Sequence, residues 1–330
     1  MSTVTTGGTG KRETVLLSHA FGDETRQRLE ELFPEVRFVL LPASGEVPRD
    51  AEGARVLLRK SMPHDALHTA MDGAPHLAWI HTASAGFNWV LTPRVAATDI
   101  VLTRTADVLN KPIAEFVVAL YLALLKGLPA FLRQQRERDW RRPPSLGSPS
   151  GGTAVVLGAG AIGRETAVRL GALGMRVLGV KRDPAPVPGF DEMTAPSGLR
   201  DLLPRADLLV IACPLTPETH HLVGAEEFAL MKRGSYLVNI ARGPVVVEGA
   251  MIAALQDGTL AGAGLDVFDT EPLPADNPLW ALPNVIVTPH VSYLADQNEE
   301  GMIEEFGDNL RRFLEGRPLL NALKSRELGY

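Results

Sequence analysis

Ala154-Val155-Val156-Leu157-Gly158-Ala159-Gly160-Ala161-Ile162-Gly163 is the stretch that decides the fold. A short apolar, β-branched run ends in a Gly-x-Gly-x-x-Gly, and a helical pattern, Arg164 to Leu173, follows directly. Alone, such a turn is a weak signal, because glycine-rich turns also serve purely structural ends. Between a strand and a helix its glycines have separate tasks. Gly158 and Gly160 permit the tight turn and a close approach of backbone to a pyrophosphate, and Gly163 lets helix and strand pack. The phosphates would sit on the amides that open the helix, at Ala161 and Ile162. The turn therefore predicts dinucleotide binding.

Downstream, short apolar runs recur at Met175 to Val180, Leu208 to Ala212, Ser235 to Ile240, Gly262 to Val267 and Val285 to Thr288. They have the character of strands buried on both faces of a parallel sheet. Helical patterns at Glu226 to Met231 and Gly249 to Gln256 separate them, which predicts a doubly wound sheet. Upstream, a second series runs through Val15 to Leu17, Arg37 to Leu41, Ala54 to Arg59, Leu77 to His81 and Ile100 to Thr103, with a helix at Glu24 to Phe33. A long helical stretch is expected over about Pro112 to Arg138, with Asn110 as its N-cap and Pro112 in its first turn. A last amphipathic helix is expected at about Gln297 to Leu314. The fold class is α/β in two domains.

The 330 residues are more than one core usually serves, and 45% apolar with 22% charged residues describes a folded chain rather than a disordered one. A net charge of -6 argues against a nucleic-acid surface. The longest apolar run, Phe116 to Leu125, is short for a bilayer and reads as a buried helix between Glu115 and Lys126, so no membrane partner is expected. A single cysteine, Cys213, makes neither an internal disulfide nor a metal cluster, and no metal is expected. The Thr/Gly-rich N-terminus, Met1 to Gly10, reads as a loose tail rather than a signal peptide, and a cytoplasmic location follows.

Cofactor choice is written about 20 residues beyond the glycine turn, where a ribose-binding carboxylate is expected. Lys181 and Arg182 stand there instead, with Asp183 next. A basic pair makes charge-assisted contacts to a 2′-phosphate. The alternatives are a solvated basic turn, or Asp183 turning back to the ribose. NADP(H) is favoured and NAD(H) remains compatible.

Three residues follow successive strands of the second series: Arg242, Glu271 and His290. Ligands of open α/β sheets bind outside the carboxyl ends of strands, so the three can converge. A guanidinium fork grips a carboxylate or polarises a carbonyl. An imidazole exchanges a proton with an alkoxide near neutral pH. A glutamate beside it favours the protonated ring and fixes its tautomer. Singly, each is more often a surface or structural residue; jointly, they are the parts a ketoacid reductase requires.

The chain resembles the D-isomer-specific 2-hydroxyacid dehydrogenase family over nearly its whole length. The resemblance rests on the turn Gly158 to Gly163, on Cys213 to Thr219, on Val238 to Glu248, on Gly262 to Pro272 and on Asn284 to His290. It implies a Rossmann-type dinucleotide-binding domain (106–292) inserted into a smaller flavodoxin-like substrate domain (1–105 and 293–330), with domain closure over the ligands. It implies Arg242 as binder of the substrate carboxylate and carbonyl, His290 as acid/base and Glu271 as its partner. Asp266 would lie near the nicotinamide carboxamide, and Cys213, Pro214, Thr219, Ile240 and Ala241 would line the cofactor site. Ser84-Ala85-Gly86 matches the loop whose amides meet the substrate carboxylate. Arg59 is a further candidate for that pocket, a surface role being the alternative.

Lys181 departs from the acidic residue of NAD-specific members and is similar to glyoxylate/hydroxypyruvate reductase-type members that use NADPH. Ser148 to Thr153 lacks the usual Leu-x-Gly-Lys-Thr entry to the first strand. The activity implied is hydride transfer between NAD(P)H and a small 2-keto or D-2-hydroxy acid. A cofactor-sensing corepressor-like protein and a formate- or phosphite-type dehydrogenase are the alternatives on the same scaffold. The side chain of the substrate stays open, with Ser61 to Pro63, Ser84 to Trp89 and Tyr293 expected to shape its pocket. A homodimer is expected, and the apolar Val117 to Leu125 segment is either part of that contact or ordinary core.

Overall fold

A computed structural model describes residues 12–87, 90–295 and 298–323. The N-terminal tail, Trp89 and the expected helix start at Gln297 lie outside the described residues. The chain forms two compact units: one runs through Leu109 and takes in the residues after Ala295, and the other is Asn110–Ala295.

In chain order the first series is β1 (Thr14–Leu17), α1 (Gly22–Leu32), β2 (Arg37–Leu40), β3 (Val56–Arg59), α2 (His64–Gly73), β4 (Trp79–Thr82), α3 (Pro93–Ala96) and β5 (Val101–Arg104). Next come α4 (Asp107–Leu125), α5 (Leu128–Glu137), β6 (Thr153–Leu157), α6 (Ala161–Ala172), β7 (Arg176–Val180), β8 (Glu192–Thr194), α7 (Leu199–Leu202) and β9 (Leu208–Ile211). The series ends with α8 (Ala225–Leu230), β10 (Ser235–Asn239), α9 (Glu248–Asp257), β11 (Leu260–Leu265), β12 (Val285–Val287) and α10 (Asn298–Leu314).

The first unit holds a five-stranded parallel sheet in the order β2-β1-β3-β4-β5, the flavodoxin-like arrangement. Successive side chains of a strand point to opposite faces, and here both are covered. Leu16, Leu57, Ile80 and Leu102 pack with Ala66, Leu67 and Ala70 of α2. Val15, Leu17, Val56, Leu58 and Trp79 pack with Leu29 of α1 and with Met302, Phe306, Leu310 and Phe313 of α10. Trp79 and Phe306 stack with their rings 5.2 Å apart. The C-terminal helix thus belongs to the core of the first unit.

His81 on β4 is fully buried, and both ring nitrogens are bonded, Nδ1 to the hydroxyl of Thr103 at 2.8 Å and Nε2 to that of Thr105 at 3.1 Å. The Thr103 oxygen also accepts from the Trp79 indole at 2.8 Å. Burial pushes this imidazole down from 6.5 to about 3. The unfolded chain therefore binds a proton that the folded chain refuses. Stability from this site is complete above pH 6.5 and is lost as pH falls toward 3. About 2–3 kcal/mol should be gone by about pH 4.5. Melting curves of the wild type and His81→Gln at neutral and acid pH should show a smaller acid loss in the variant. Equal losses would refute the assignment.

The second unit holds a seven-stranded sheet in the order β12-β11-β10-β9-β6-β7-β8, parallel throughout. The strand order reverses between β6 and β9, the doubly wound pattern with its ligand crevice at the switch point. β8, a three-residue edge strand with the sequence Glu-Met-Thr, is absent from the sequence expectation.

The helix expected over 112–138 is two helices, broken at Gly127, whose φ is +66°. α4 also starts earlier than Asn110, which is buried within it rather than capping it. Glu305 of α10 supplies the cap: its carboxylate accepts from the amides of Ala106 (2.8 Å) and Val108 (2.7 Å). Pro112 accordingly lies inside the helix. With 19 residues, α4 reaches the length and apolarity that crossing a bilayer takes, unlike the run Phe116 to Leu125 alone; half of it is buried in the fold. Leu120 and Leu124 face β11, where a Cβ on Gly264 would stand 2.9 Å from Leu120 and one on Gly262 3.1 Å from Leu124. The Gly-Ala-Gly of β11 makes room for this helix, and Val117, Leu120, Tyr121, Leu124 and Leu125 are buried in the fold.

Candidate active site

In the second unit, β6 delivers the chain to Gly158, whose φ of +109° suits only glycine. A Cβ there would lie 2.6 Å from the Ala212–Cys213 peptide at the end of β9. A Cβ on Gly163 would lie 2.0 Å from the Gly158 carbonyl oxygen, so helix and turn pack backbone to backbone. At Gly160, the N-cap of α6, an added Cβ would meet nothing within 4 Å. The mouth of this 12-residue helix is therefore bare backbone, and Gly160, Ala161, Ile162 and Gly163 fit a pyrophosphate.

Lys181 and Arg182 follow β7 and are exposed. The Asp183 carboxylate accepts from the Ala185 amide at 3.3 Å, within its own turn. The Arg182 charge reaches Glu218, whose carboxyl is held below its usual value by the Thr216 hydroxyl, its own amide and Arg182. Cys213 is buried in the core, and burial pushes its thiol up to about 12, so it is no nucleophile. The Thr219 hydroxyl is spent on its turn, donating to the Pro214 carbonyl and accepting from the Thr216 amide, both at 2.7 Å.

β10, β11 and β12 are neighbours, and the three catalytic candidates follow them. After β10, Ile240 and Ala241 are buried, and Asn239 clamps the turn. Its side-chain amide donates to the Arg242 carbonyl and its oxygen accepts from the Ala241 amide, both at 3.0 Å. Arg242 is extended (φ −150°) and one of its Nη atoms donates to the Ala241 carbonyl at 2.5 Å.

After β11, Asp266 is fully buried. Its carboxylate accepts from the Thr288 hydroxyl at 2.6 Å and from the amides of Val291 and Ser292, both at 2.9 Å. It thereby fixes the loop that carries His290, which sits at a φ of +55° with its amide on the Thr288 carbonyl at 3.1 Å.

Glu271 joins the two strand ends. One carboxylate oxygen accepts from the Phe268 amide at 3.0 Å, and the other meets His290 Nδ1 at 2.8 Å. Burial raises the Glu271 pKa. The bonds from His290 and Phe268, with the charges of His290 and Arg242, outweigh that and hold it below the ordinary value. Glu271 is therefore ionised at neutral pH, and the structure brings all three residues into one electrostatic neighbourhood. About a quarter of each of the His290 and Glu271 side chains is exposed, enough for a small molecule to reach.

In the first unit, Arg59 closes β3 at the β1/β3 switch point and is only 5% exposed. One Nη donates to the Met62 carbonyl at 2.5 Å and the other to the Thr82 hydroxyl at 3.4 Å, while Nε has no partner among the described residues. Burial lowers its pKa to about 10, so it stays cationic at neutral pH. Thr82 and Ser84 hydroxyls lie 3.0 Å apart, and Ser84 donates to the Gly86 carbonyl at 2.8 Å. A chain of hydrogen bonds thus links Arg59 to the Ser84-Ala85-Gly86 loop. Asn239, Thr288 and Glu305 were not singled out by sequence; each is an ordinary polar residue until its partners are visible. Among the described residues no three His, Cys, Asp or Glu side chains are placed to hold a metal.

Residues 118–292 match the family model for the D-isomer specific 2-hydroxyacid dehydrogenase NAD binding domain. The chain belongs to the D-isomer-specific 2-hydroxyacid dehydrogenases. Members of similar sequence include a glyoxylate reductase of Thermococcus gammatolerans, 35% identical over 89% of both chains. A glyoxylate/hydroxypyruvate reductase B of Citrobacter koseri is 33% identical over 96% of this chain and 100% of its own. Among solved structures, a family member from Xanthobacter autotrophicus in complex with NADPH superposes with a TM-score of 0.84 and 32% identity, covering 97% of this chain and 100% of that one. An NADPH-dependent glyoxylate/hydroxypyruvate reductase from Sinorhizobium meliloti, in complex with NADP, gives 0.83 and 29%, covering 96% and 100%. This 2-hydroxyacid dehydrogenase is accordingly an oxidoreductase that moves a hydride between a nicotinamide cofactor and a 2-keto or 2-hydroxy acid.

Proposed function

We propose that the enzyme is an NADPH-preferring reductase of small 2-keto acids of the glyoxylate or hydroxypyruvate type. The observation that carries the catalytic half is the His290–Glu271 hydrogen bond under the charge of Arg242. Glu271 accepts from Nδ1–H, which leaves Nε2 as the nitrogen that hands a proton to the carbonyl oxygen as it becomes an alkoxide. Arg242 holds the substrate carboxylate and draws charge from the carbonyl. Asp266 keeps the His290 loop in place from its buried position at the end of β11, beside the nicotinamide site.

Gly158, Gly160, Ala161, Ile162 and Gly163 hold the pyrophosphate, and Cys213, Pro214, Thr219, Ile240 and Ala241 border the cofactor. When bound, the reduced nicotinamide supplies the hydride. In the first unit the Ser84-Ala85-Gly86 amides and Arg59 take the substrate carboxylate, a reading supported by the hydrogen bonds that join Arg59 through Thr82 to that loop.

Lys181 and Arg182 choose NADPH, and the engagement of Asp183 in its own turn supports this reading. Oxidation of NADPH and NADH should be followed in parallel with glyoxylate, hydroxypyruvate, pyruvate and phenylpyruvate. NADPH should turn over faster than NADH with glyoxylate or hydroxypyruvate. Replacing both Lys181 and Arg182 by alanine should raise the KM for NADPH roughly 10- to 100-fold, the worth of charged hydrogen bonds, and leave that for NADH nearly unchanged. A preference for NADH in the wild type would overturn the cofactor assignment, and absence of turnover on the whole panel would overturn the substrate class.

A further inference from the structure

Arg104, the last residue of β5, turns its guanidinium back onto the loop that follows β4. One Nη donates to the carbonyl oxygen of Ala85, and the guanidinium carbon stands 5.6 Å from the centre of the Phe87 ring. The group is half-buried. Burial lowers its pKa, and the nearby carboxylates of Asp107 and Glu305 oppose that. Its strand is anchored as well: the Arg104 amide bonds to the Asn321 carbonyl at 3.3 Å, and the Leu323 amide to that of Leu102 at 2.9 Å.

A trans peptide is planar, so the C=O of Ala85 and the N–H of Gly86 point in opposite directions. A peptide beside glycine turns over more easily than others, because glycine adopts either sign of φ. The Ser84 hydroxyl holds the next carbonyl, that of Gly86, at 2.8 Å, and leaves the Ala85–Gly86 unit to be held by something else. Arg104 alone among the described contacts takes its carbonyl. A cation on a carbonyl also strengthens the N–H of the same amide as a donor.

We propose that Arg104 is a positioning residue for substrate binding. By holding the Ala85 carbonyl it directs the Gly86 N–H to the opposite side, where the substrate carboxylate is received. The proposal rests on the reading that Ser84 to Gly86 is the carboxylate loop. It assigns no chemistry to Arg104, which acts through a backbone amide and not on the reacting atoms.

The test compares Arg104→Met, Arg104→Lys and Gly86→Pro in steady-state assays with NADPH and glyoxylate, with oxamate as a competing carboxylate. Arg104→Met should raise both the KM for glyoxylate and the inhibition constant of oxamate about tenfold, the loss of one well-aimed hydrogen bond to a charged group. The kcat should change by less than about threefold, and NADPH binding followed by fluorescence should not move. Arg104→Lys keeps a cationic donor and should recover most of the lost affinity. Gly86→Pro removes the N–H itself and should weaken both carboxylates at least as much. If Arg104→Met does not fold, Arg104→Leu, which likewise has no donor, carries the same expectation. Unchanged affinities in the Arg104 variants with a weakened Gly86→Pro would overturn the proposal alone. Unchanged affinities in all of them would overturn the loop reading with it.

Discussion

Replacing His290 by alanine lowers kcat by about 10²–10⁴, the usual worth of a positioned general acid, while the affinity for NADPH stays within about twofold. The expectation follows from how His290 is held. The pyrophosphate turn follows β6, whereas His290 follows β12 at the far edge of the sheet. Its supports include the 2.8 Å bond to Glu271 and the loop that Asp266 ties down through Val291 and Ser292. Removing the ring therefore deletes the proton donor and leaves the cofactor turn intact.

Glu271→Gln should be milder than His290→Ala, because the amide oxygen still accepts from Nδ1–H but no longer stabilises the imidazolium. Stopped-flow measurement of the hydride step separates these effects from product release. A His290→Ala enzyme that turns over within threefold of the wild type would remove His290 from the mechanism.

The sheets were legible because their strands are apolar on both faces and short, as strands of covered parallel sheets must be. The exception proves informative in physical terms: β8 is a polar three-residue strand at an edge, where burial imposes no pattern. The start of α4 was illegible for a different reason. Its cap is the carboxylate of Glu305, nearly 200 residues away in the chain, and no local signal marks it; Asn110 resembles a cap only because the true one is remote.

At the site, topology explains what sequence carries. Strand order puts Arg242, Glu271 and His290 after three adjacent strands, and the chemistry of the three residue types suggests their joint use. The hydrogen bonds that hold them were out of reach. Asn239 reads as one polar residue in an apolar strand until its amide is seen on both sides of the Ile240–Arg242 turn. No local pattern marks Arg104, and only the fold places it under the Ala85 carbonyl.

Gly243→Ala adds a single methyl group and should have a large structural effect on the site. A Cβ on Gly243 would stand 2.0 Å from the carbonyl carbon of Phe268 and 2.3 Å from the amide nitrogen of Asp269. These are backbone atoms, so no side chain can swing aside and the two segments must part. One segment carries Arg242. The other carries the Phe268 amide that binds Glu271, and Glu271 itself three residues on. Parting them loosens the guanidinium and the histidine's partner together. Overpacking of this kind costs about 3 kcal/mol or more where only backbone can yield. The second unit should melt at clearly lower temperature and kcat should drop with it. Gly171→Ala in the last turn of α6 is the matched control, since an added Cβ there meets nothing within 4 Å. It should stabilise by about 0.5–1 kcal/mol, the difference between glycine and alanine in a helix, and leave turnover unchanged. If both variants melt and turn over like the wild type, the close contact between the Arg242 and Glu271 segments does not govern the site.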